Sequence, residues 1–414
     1  MLNMKKYNMK VLFVTGAYAK ETEGKLRSLC KGGALEAAAN AYQWAFIEGL
    51  INTNIDFDVV SCPFLPAFPM RFKQLYTPSA EIKSNNITIG QMLSYNAFVL
   101  LKFQSIKLRL KRYLDEWINK HYKNETELWI VSYTPYSFFT EPIIKLKKKY
   151  PNVKYCAIIA DLVDDATNPV LKLSRLKMIQ ARREQKAVWA SYKHIDKFIL
   201  LSKQMEEKIE QARDNSIVIE GLFSKVDDEP VELKEDILKT LLYTGTLQEF
   251  AGILDLISAF RSTKDANYRL IICGGGPLAS EIEMISKEDA RIIYKGNLPR
   301  ESVLKLQKQS TALINPRKPS VDLTRYSFPS KTMEYMASGT PMIGYRLDGI
   351  PEEYYSHMYT PEDLSNNALA RLIDQVLLSP SIGLQAFGQS AKDFIRNNKE
   401  SYCQVSKAMS FLQS

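Results

Sequence analysis

The 414-residue chain is 45% hydrophobic and 24% charged, with 55 Lys and Arg against 46 Asp and Glu. Its length exceeds a single hydrophobic core and implies two domains of roughly 200 residues each, and its ordinary apolar content excludes a disordered chain. A formal net charge of +9 favours anionic partners, whether phosphates, nucleic acid or an acidic membrane, without choosing among them.

Five cysteines (Cys30, Cys62, Cys156, Cys273 and Cys403) are dispersed without a CxxC pair, which reads as reduced thiols in a cytoplasmic protein. The three histidines, His121, His194 and His357, fall in unrelated segments, so no metal site is expected. No apolar run approaches the ~20 residues of a membrane span. The start, Met1 to Lys6, is basic but lacks a following signal-type core.

Short β-branched and aromatic runs alternate with stretches of helical period, the pattern of parallel sheets covered by helices. Strands are expected at 10–15 (KVLFVT), 56–60, 97–101 (AFVLL), 128–132, 154–160 and 197–201. Helices are expected at 34–50, 104–121, 140–149 and 171–191, and the Pro-, Ser- and Asn-rich segment 62–96 reads as a long surface loop or lid. The charged stretch 224–236 is the expected linker. Beyond it a second series places strands at 240–244, 268–273, 290–294, 311–315, 340–344 and 357–359. Its helices are expected at 250–263, 278–287, 300–309, 329–338, 361–378 and 382–397.

The most informative stretch is 326–343, YSFPSKTMEYMASGTPMI. Its helix should open near Pro329, where a missing N–H leaves nothing unpaired, and stop at Gly339. Met333, Met336 and Ala337 fall at i, i+3 and i+4 and make its core face, leaving Lys331 and Glu334 to share another. That arrangement suits a nucleoside diphosphate. First-turn amides of Ser330 and Lys331 would meet the pyrophosphate, Lys331 would add a full charge, and Glu334 could accept from ribose hydroxyls. From spacing alone, a solvated i, i+3 ion pair reads equally well.

Residues 326–343, followed by Asp348-Gly349-Ile350-Pro351-Glu352, resemble the donor-binding motif of the family 4 (group 1) retaining glycosyltransferases. Three further segments resemble that family in its order: Leu242-Tyr243-Thr244-Gly245-Thr246-Leu247, Ile271-Ile272-Cys273-Gly274-Gly275-Gly276-Pro277, and Lys295-Gly296-Asn297-Leu298-Pro299. Together they cover about 240–355. The resemblance implies an α/β chain of GT-B fold, two Rossmann-like domains facing across a cleft. The expected boundaries are 1–222 for an acceptor domain, 223–385 for a nucleotide-sugar domain, and 386–414 for helices packing back toward the first domain. It further implies donor contacts from Gly245, Gly276, Asn297, Leu298, Arg325, Tyr326, Pro329, Ser330, Lys331 and Glu334. Glu334 matches the second acid of the family's paired-acid motif, but the first acid's position holds Tyr326. The family's paired cations are replaced by Thr246 and Ala251, for which Arg317, Lys318, Arg325 and Lys331 are the expected substitutes.

The acceptor half is read from two features. Gly32 and Gly33 precede a long helix and resemble the family's glycine-rich loop, which implies donor-binding residues whose amides approach the donor phosphates and the acceptor, though an ordinary helix-start loop has the same look. Asp161 ends a strand on the side where ligands meet parallel sheets, and is the expected catalytic-region carboxylate beside Lys331. An N-cap or turn role fits it as well. The expected helix 104–121 puts Ile106, Leu110, Tyr113, Leu114, Trp117 and Ile118 on one face, with Lys107, Arg109, Lys111 and Arg112 largely elsewhere; Lys147, Lys148 and Lys149 add a second basic cluster. Those surfaces suggest either solvated faces or peripheral contact with an anionic membrane. No base-reading motif supports nucleic-acid binding.

The expected function is therefore transfer of a hexose-type sugar from a nucleoside diphosphate sugar to a hydroxyl acceptor, with retention and without a metal or cofactor. The expected acceptor is a lipid-linked glycan in surface polysaccharide assembly, handled in the cytoplasm at the inner face of the membrane. Two alternatives stand beside it, a non-catalytic nucleotide-sugar-binding protein and a GT-B sugar-nucleotide epimerase.

Overall fold

The computed structural model describes residues 9–33, 35–122, 127–162, 175–224, 238–320 and 324–414. The chain divides into two compact units, Met1–Ser224 with Ser401–Ser414, and Lys225–Glu400.

The first unit is built on eight strands: β1 (Met9–Thr15), β2 (Asp56–Ser61), β3 (Ala80–Ser84), β4 (Ile87–Met92), β5 (Glu127–Tyr133), β6 (Val153–Ile159), β7 (Lys197–Leu200) and β8 (Ser216–Val218). They form one sheet in the order β3-β4-β2-β1-β5-β6-β7-β8. Helices α1 (Glu23–Leu29), α2 (Ala37–Asn52), α3 (Lys102–His121), α4 (Ser137–Lys149) and α5 (Arg175–Ser191) accompany it. Every residue of β1 is buried and parallel β2 and β5 flank it, so from Met9 to Val14 it reads as an apolar run. Lys10 is the exception. Its ammonium is held 2.6 Å from Asp56 and 2.9 Å from Asp58.

The second unit has β9 (Lys239–Thr244), β10 (Tyr268–Cys273), β11 (Ile292–Tyr294), β12 (Ala312–Asn315) and β13 (Met342–Gly344) in the order β11-β10-β9-β12-β13, all parallel. Its helices are α6 (Ile253–Ser262), α7 (Ala279–Glu288), α8 (Arg300–Gln309), α9 (Ser330–Ser338), α10 (Asn366–Leu378) and α11 (Ser381–Asn398). In each sheet the chain runs outward from its first central strand and then returns to the other side. The reversals fall between β1 and β5 and between β9 and β12, the crevices where open α/β sheets bind ligands.

Three sequence expectations need correction. The segment 62–96 is not all loop, because β3 and β4 form a hairpin whose outer strand extends the sheet edge. Asn85 and Asn86 both take positive φ, 48° and 64°, the pair that a two-residue hairpin turn requires. The run 97–101 is not a strand, since β1 pairs instead with β5 and only an isolated Phe68–Phe98 bridge remains there. Residues 99–101 turn into α3. Finally, 357–359 contributes only a Tyr359–Ile343 bridge. The expected linker lies almost wholly outside the described residues, as do Ala34 and residues 171–174 of the expected helices.

The terminal helices belong to different units. Helix α11 packs on α9, where a Cβ at Gly388 would lie 2.0 Å from the Gly339 carbonyl oxygen. A last helix, α12 (Ser401–Gln413), packs on α2 in the first unit. Gly49 lets the two approach, because a Cβ there would meet Val405 Cγ2 at 2.4 Å and the Ser401 carbonyl at 2.6 Å. Gly49→Val should therefore destabilise the first unit by about 1–3 kcal/mol through overpacking. A urea titration should show a lower midpoint, and an unshifted midpoint would mean that α2 and α12 are not in this contact.

Candidate functional site

Helix α9 stands at the reversal point of the second sheet. Pro329 is its N-cap with extended backbone, and Gly339 ends it at φ 79°, returning its N–H to the Met336 carbonyl. Thr332, Met333, Tyr335, Met336 and Ala337 are buried on the inward side. Tyr335 fixes the register. Its hydroxyl accepts the Thr244 N–H at 3.0 Å and donates to the Thr244 carbonyl at 3.2 Å, joining the helix to the last residue of β9.

With that side anchored, Lys331 is laid across the turn after β9. A Cβ at Gly245 would lie 1.5 Å from Lys331 Nζ, so only glycine leaves room for the lysine there. The ammonium also sits 5.1 Å from the Tyr243 ring centroid, and the Tyr243 hydroxyl donates to the Thr246 carbonyl at 2.8 Å. Burial draws the Lys331 ammonium down to about 8; Glu334 opposes that shift, and the charge of Arg317 adds to it. Arg317 lies half-buried over the Phe250 ring at 5.5 Å. Two cations thus converge at the ends of β9 and β12. The Thr332 amide donates to the Pro329 carbonyl at 2.9 Å, which leaves the Ser330 and Lys331 amides without an acceptor in the first turn of α9.

Glu334, one turn deeper, is not bonded to Lys331. Its Oε1 accepts from Gln307 Nε2 at 2.8 Å, and its Oε2 lies 3.2 Å from the guanidinium of exposed Arg300. Gln307 is the one buried residue of α8, and its carbonyl accepts from Thr340 Oγ1 at 2.8 Å. Sequence reasoning missed Gln307. The available signal was a polar residue at an inward position, which periodicity cannot distinguish from a solvated one.

The neighbouring loops close on this point. Gly274 takes φ 141°, and a Cβ there would strike the Gly245 carbonyl at 1.7 Å. The Gly274 N–H donates to the Gly296 carbonyl at 2.8 Å, bringing the β11 loop alongside. Gly276 faces the Leu247 carbonyl, and the Asn297 amide lies against Gly275. Leu298 joins Lys295, Ser302, Lys305, Leu306 and Gln309 around a hollow of about 430 Å³. Two of the expected substitute cations are diverted. Lys318 lies 2.9 Å from Asp255, and Arg325 lies 2.6 Å from Asp348. Tyr326 is half-buried in the loop leading to α9.

In the first unit, Gly32 and Gly33 sit between α1 and α2 at φ 74° and 66°. Asp161 follows β6 and is exposed. The Tyr133 and Tyr136 hydroxyls at the end of β5 are raised by burial first, and the charges of Asp161 and Glu36 both add to the rise. The Asp161 loop and the segment just after Gly33 therefore lie at one end of this sheet.

Residues 224–401 match the family model described as Glycosyl transferases group 1. The matched span coincides with the second unit. No curated protein matches the sequence. Solved structures match nearly end to end. Sucrose-phosphate synthase from Thermosynechococcus elongatus has 16% identity and a TM-score of 0.59, with 98% of each chain covered. The lipopolysaccharide outer core galactosyltransferase WaaB has 15% identity and a TM-score of 0.57, covering 98% of this chain and 99% of its own. HepE of Anabaena, solved in complex with UDP, has 12% identity and a TM-score of 0.54, covering 98% and 100%. At such identities the likeness shows the fold, which is GT-B.

With Lys331 lowered in this way, an anion held by its ammonium would bind with a dependence on pH. Below about pH 8 the amine is cationic, and above it the charge is lost. Affinity for a nucleoside diphosphate should therefore fall between pH 7 and 9, by up to about tenfold per pH unit at the steepest. Lys331→Arg should remove that slope. Calorimetric titrations giving a flat affinity over this range for the wild type would contradict the lysine's place at the anion.

Proposed function

We propose that the protein is a retaining, family 4 glycosyltransferase that moves a hexose-type sugar from a nucleoside diphosphate sugar to a hydroxyl acceptor. The observation that carries this reading is the seating of Lys331 over Gly245 beside the first turn of α9, with Glu334 held one turn deeper. The UDP held by HepE supports a nucleotide diphosphate as the ligand class.

In this reading the diphosphate lies against the amides of Ser330 and Lys331. The charge it develops on leaving is met by Lys331 and Arg317, in a site already arranged to receive it. These groups replace the family's cations at Thr246 and Ala251, and no metal or cofactor is assigned. Ribose hydroxyls donate to Glu334, displacing exposed Arg300 while Gln307 keeps the carboxylate in place. Gly276, Asn297 and Leu298 border the base, and Arg325, Tyr326 and Pro329 frame the sugar end. The leaving phosphate takes the acceptor proton as the new glycosidic bond forms on the face it vacates, which gives retention without a histidine base. Gly32, Gly33 and Asp161 are assigned to the acceptor side. We assign a lipid-linked glycan in surface polysaccharide assembly as acceptor and the cytoplasmic side of a membrane as the place, supported by the basic surface of the first unit. Tyr326, in place of an acid, favours a second reading as a non-catalytic binder of nucleotide sugar.

A thermal-shift panel of UDP-, GDP-, ADP- and dTDP-sugars should give one donor that raises the melting temperature. With that donor, Glu334→Ala should weaken binding at least tenfold, because hydrogen bonds to a charged group are worth about 1.5–3 kcal/mol. Unchanged affinity would remove the ribose assignment. Donor binding with neither transfer nor hydrolysis would favour the second reading.

A further inference from the structure

Between residues 59 and 114 the chain carries eight Lys and Arg and a single acid, Glu81, against 55 and 46 over its whole length. Glu81 is itself paired with Lys83 at 2.8 Å. The same stretch holds a concentration of exposed large apolar side chains. Leu100 is 79% exposed and Leu108 60%, with Met70, Tyr76 and Leu101 each more than half exposed.

Backbone bonds gather these residues at one place in the first unit. Phe68 N donates to the Ala97 carbonyl and Val99 N to the Phe68 carbonyl, tying the 68–70 segment to the start of the 99–101 turn. Ala97 N donates to the Leu75 carbonyl, which brings 75–76 alongside. From the turn the chain enters α3, whose inward stripe is Ile106, Leu110, Leu114 and Trp117. Leu101, Leu108 and Arg112 fall at intervals of seven and four on the opposite, outward stripe.

The charges sort themselves. Lys107 pairs with Glu141, Lys111 with Asp115, and Lys147 with Asp196, so part of the basic surface legible in the sequence is neutralised within the unit. Arg71, next to the 68–70 segment, and Arg109 and Arg112, two to three turns along α3, are exposed. Side chains as open as Leu100 protrude and do not line a groove, so a fluid partner suits them better than a shaped one. Apolar side chains with flanking cations are the two signals that hold a protein at an acidic lipid interface.

We propose that the 99–101 turn, the outward stripe of α3 and the adjoining 70–76 segment seat the first unit on an anionic bilayer. The leucines enter the boundary between headgroups and acyl chains, and the arginines meet lipid phosphates. This deepens the lipid-linked acceptor reading, but binding is measured without any donor, so the two fail separately.

The test is co-sedimentation of the full chain at low salt with phosphatidylcholine vesicles containing about one third phosphatidylglycerol, beside vesicles of phosphatidylcholine alone. The wild type should pellet with the anionic vesicles only. The double variant Leu100→Glu with Leu101→Glu should lose at least tenfold in binding, and Arg109→Glu with Arg112→Glu a similar factor, at unchanged melting temperature. Failure of the wild type to pellet would overturn the proposal, as would equal pelleting by the leucine variant. A wild-type dimer that becomes monomeric in the leucine variant would also overturn it, assigning the patch to a second copy of the chain.

Discussion

The second unit depends on one buried contact, the Tyr335 hydroxyl bonded to both backbone groups of Thr244. Leaving that hydroxyl unsatisfied would cost about 1–3 kcal/mol, so the contact holds α9 in a single register on β9. Register is what matters for the site. A helix rotated by one residue turns its side chains by about 100°, which would carry Lys331 off Gly245 and Glu334 away from Gln307. The Gly388–Gly339 approach to α11 closes the other end of the same helix. An ordinary packing constraint thereby aims a lysine and a carboxylate at the crevice between β9 and β12.

The electrostatics follow from that geometry. Lys331 is desolvated, and the charge of Arg317 adds to the lowering of its ammonium. An anion placed between them relieves both the repulsion and the lost hydration. Lys318 and Arg325 were candidates for the same task, but Asp255 and Asp348 hold them elsewhere. A carboxylate nearby in space and distant in sequence draws these two cations away from the end of β9.

Much of this was legible in the sequence because the signals are local. Proline opening and glycine closing α9 need no tertiary information, and neither does the apolar run of β1, buried on both faces. What stayed hidden depends on partners far along the chain. Gln307 acquires its role only when α8 packs beside α9. The AFVLL run looks like a buried strand, yet β5 takes the place beside β1 and the run becomes an exposed turn. The β3–β4 hairpin was overlooked although Asn85-Asn86 carries the turn chemistry, because the surrounding Pro and Ser content reads as loop. In the first unit the ends of β5 and β6 gather Tyr133, Tyr136 and Asp161, a grouping that parallel strand order produces and composition does not reveal.

The proposed function stands on a nucleoside-diphosphate site presented by α9 at the reversal point of the second sheet. A crystal structure of the full chain with the nucleoside diphosphate of its preferred donor tests this most directly. Phosphate oxygens should lie within hydrogen-bonding distance of Lys331 Nζ and the Ser330 and Lys331 amides, with ribose hydroxyls on Glu334 and Arg300 displaced from it. A nucleotide bound with its phosphates away from Lys331, or with its ribose out of reach of Glu334, would contradict it.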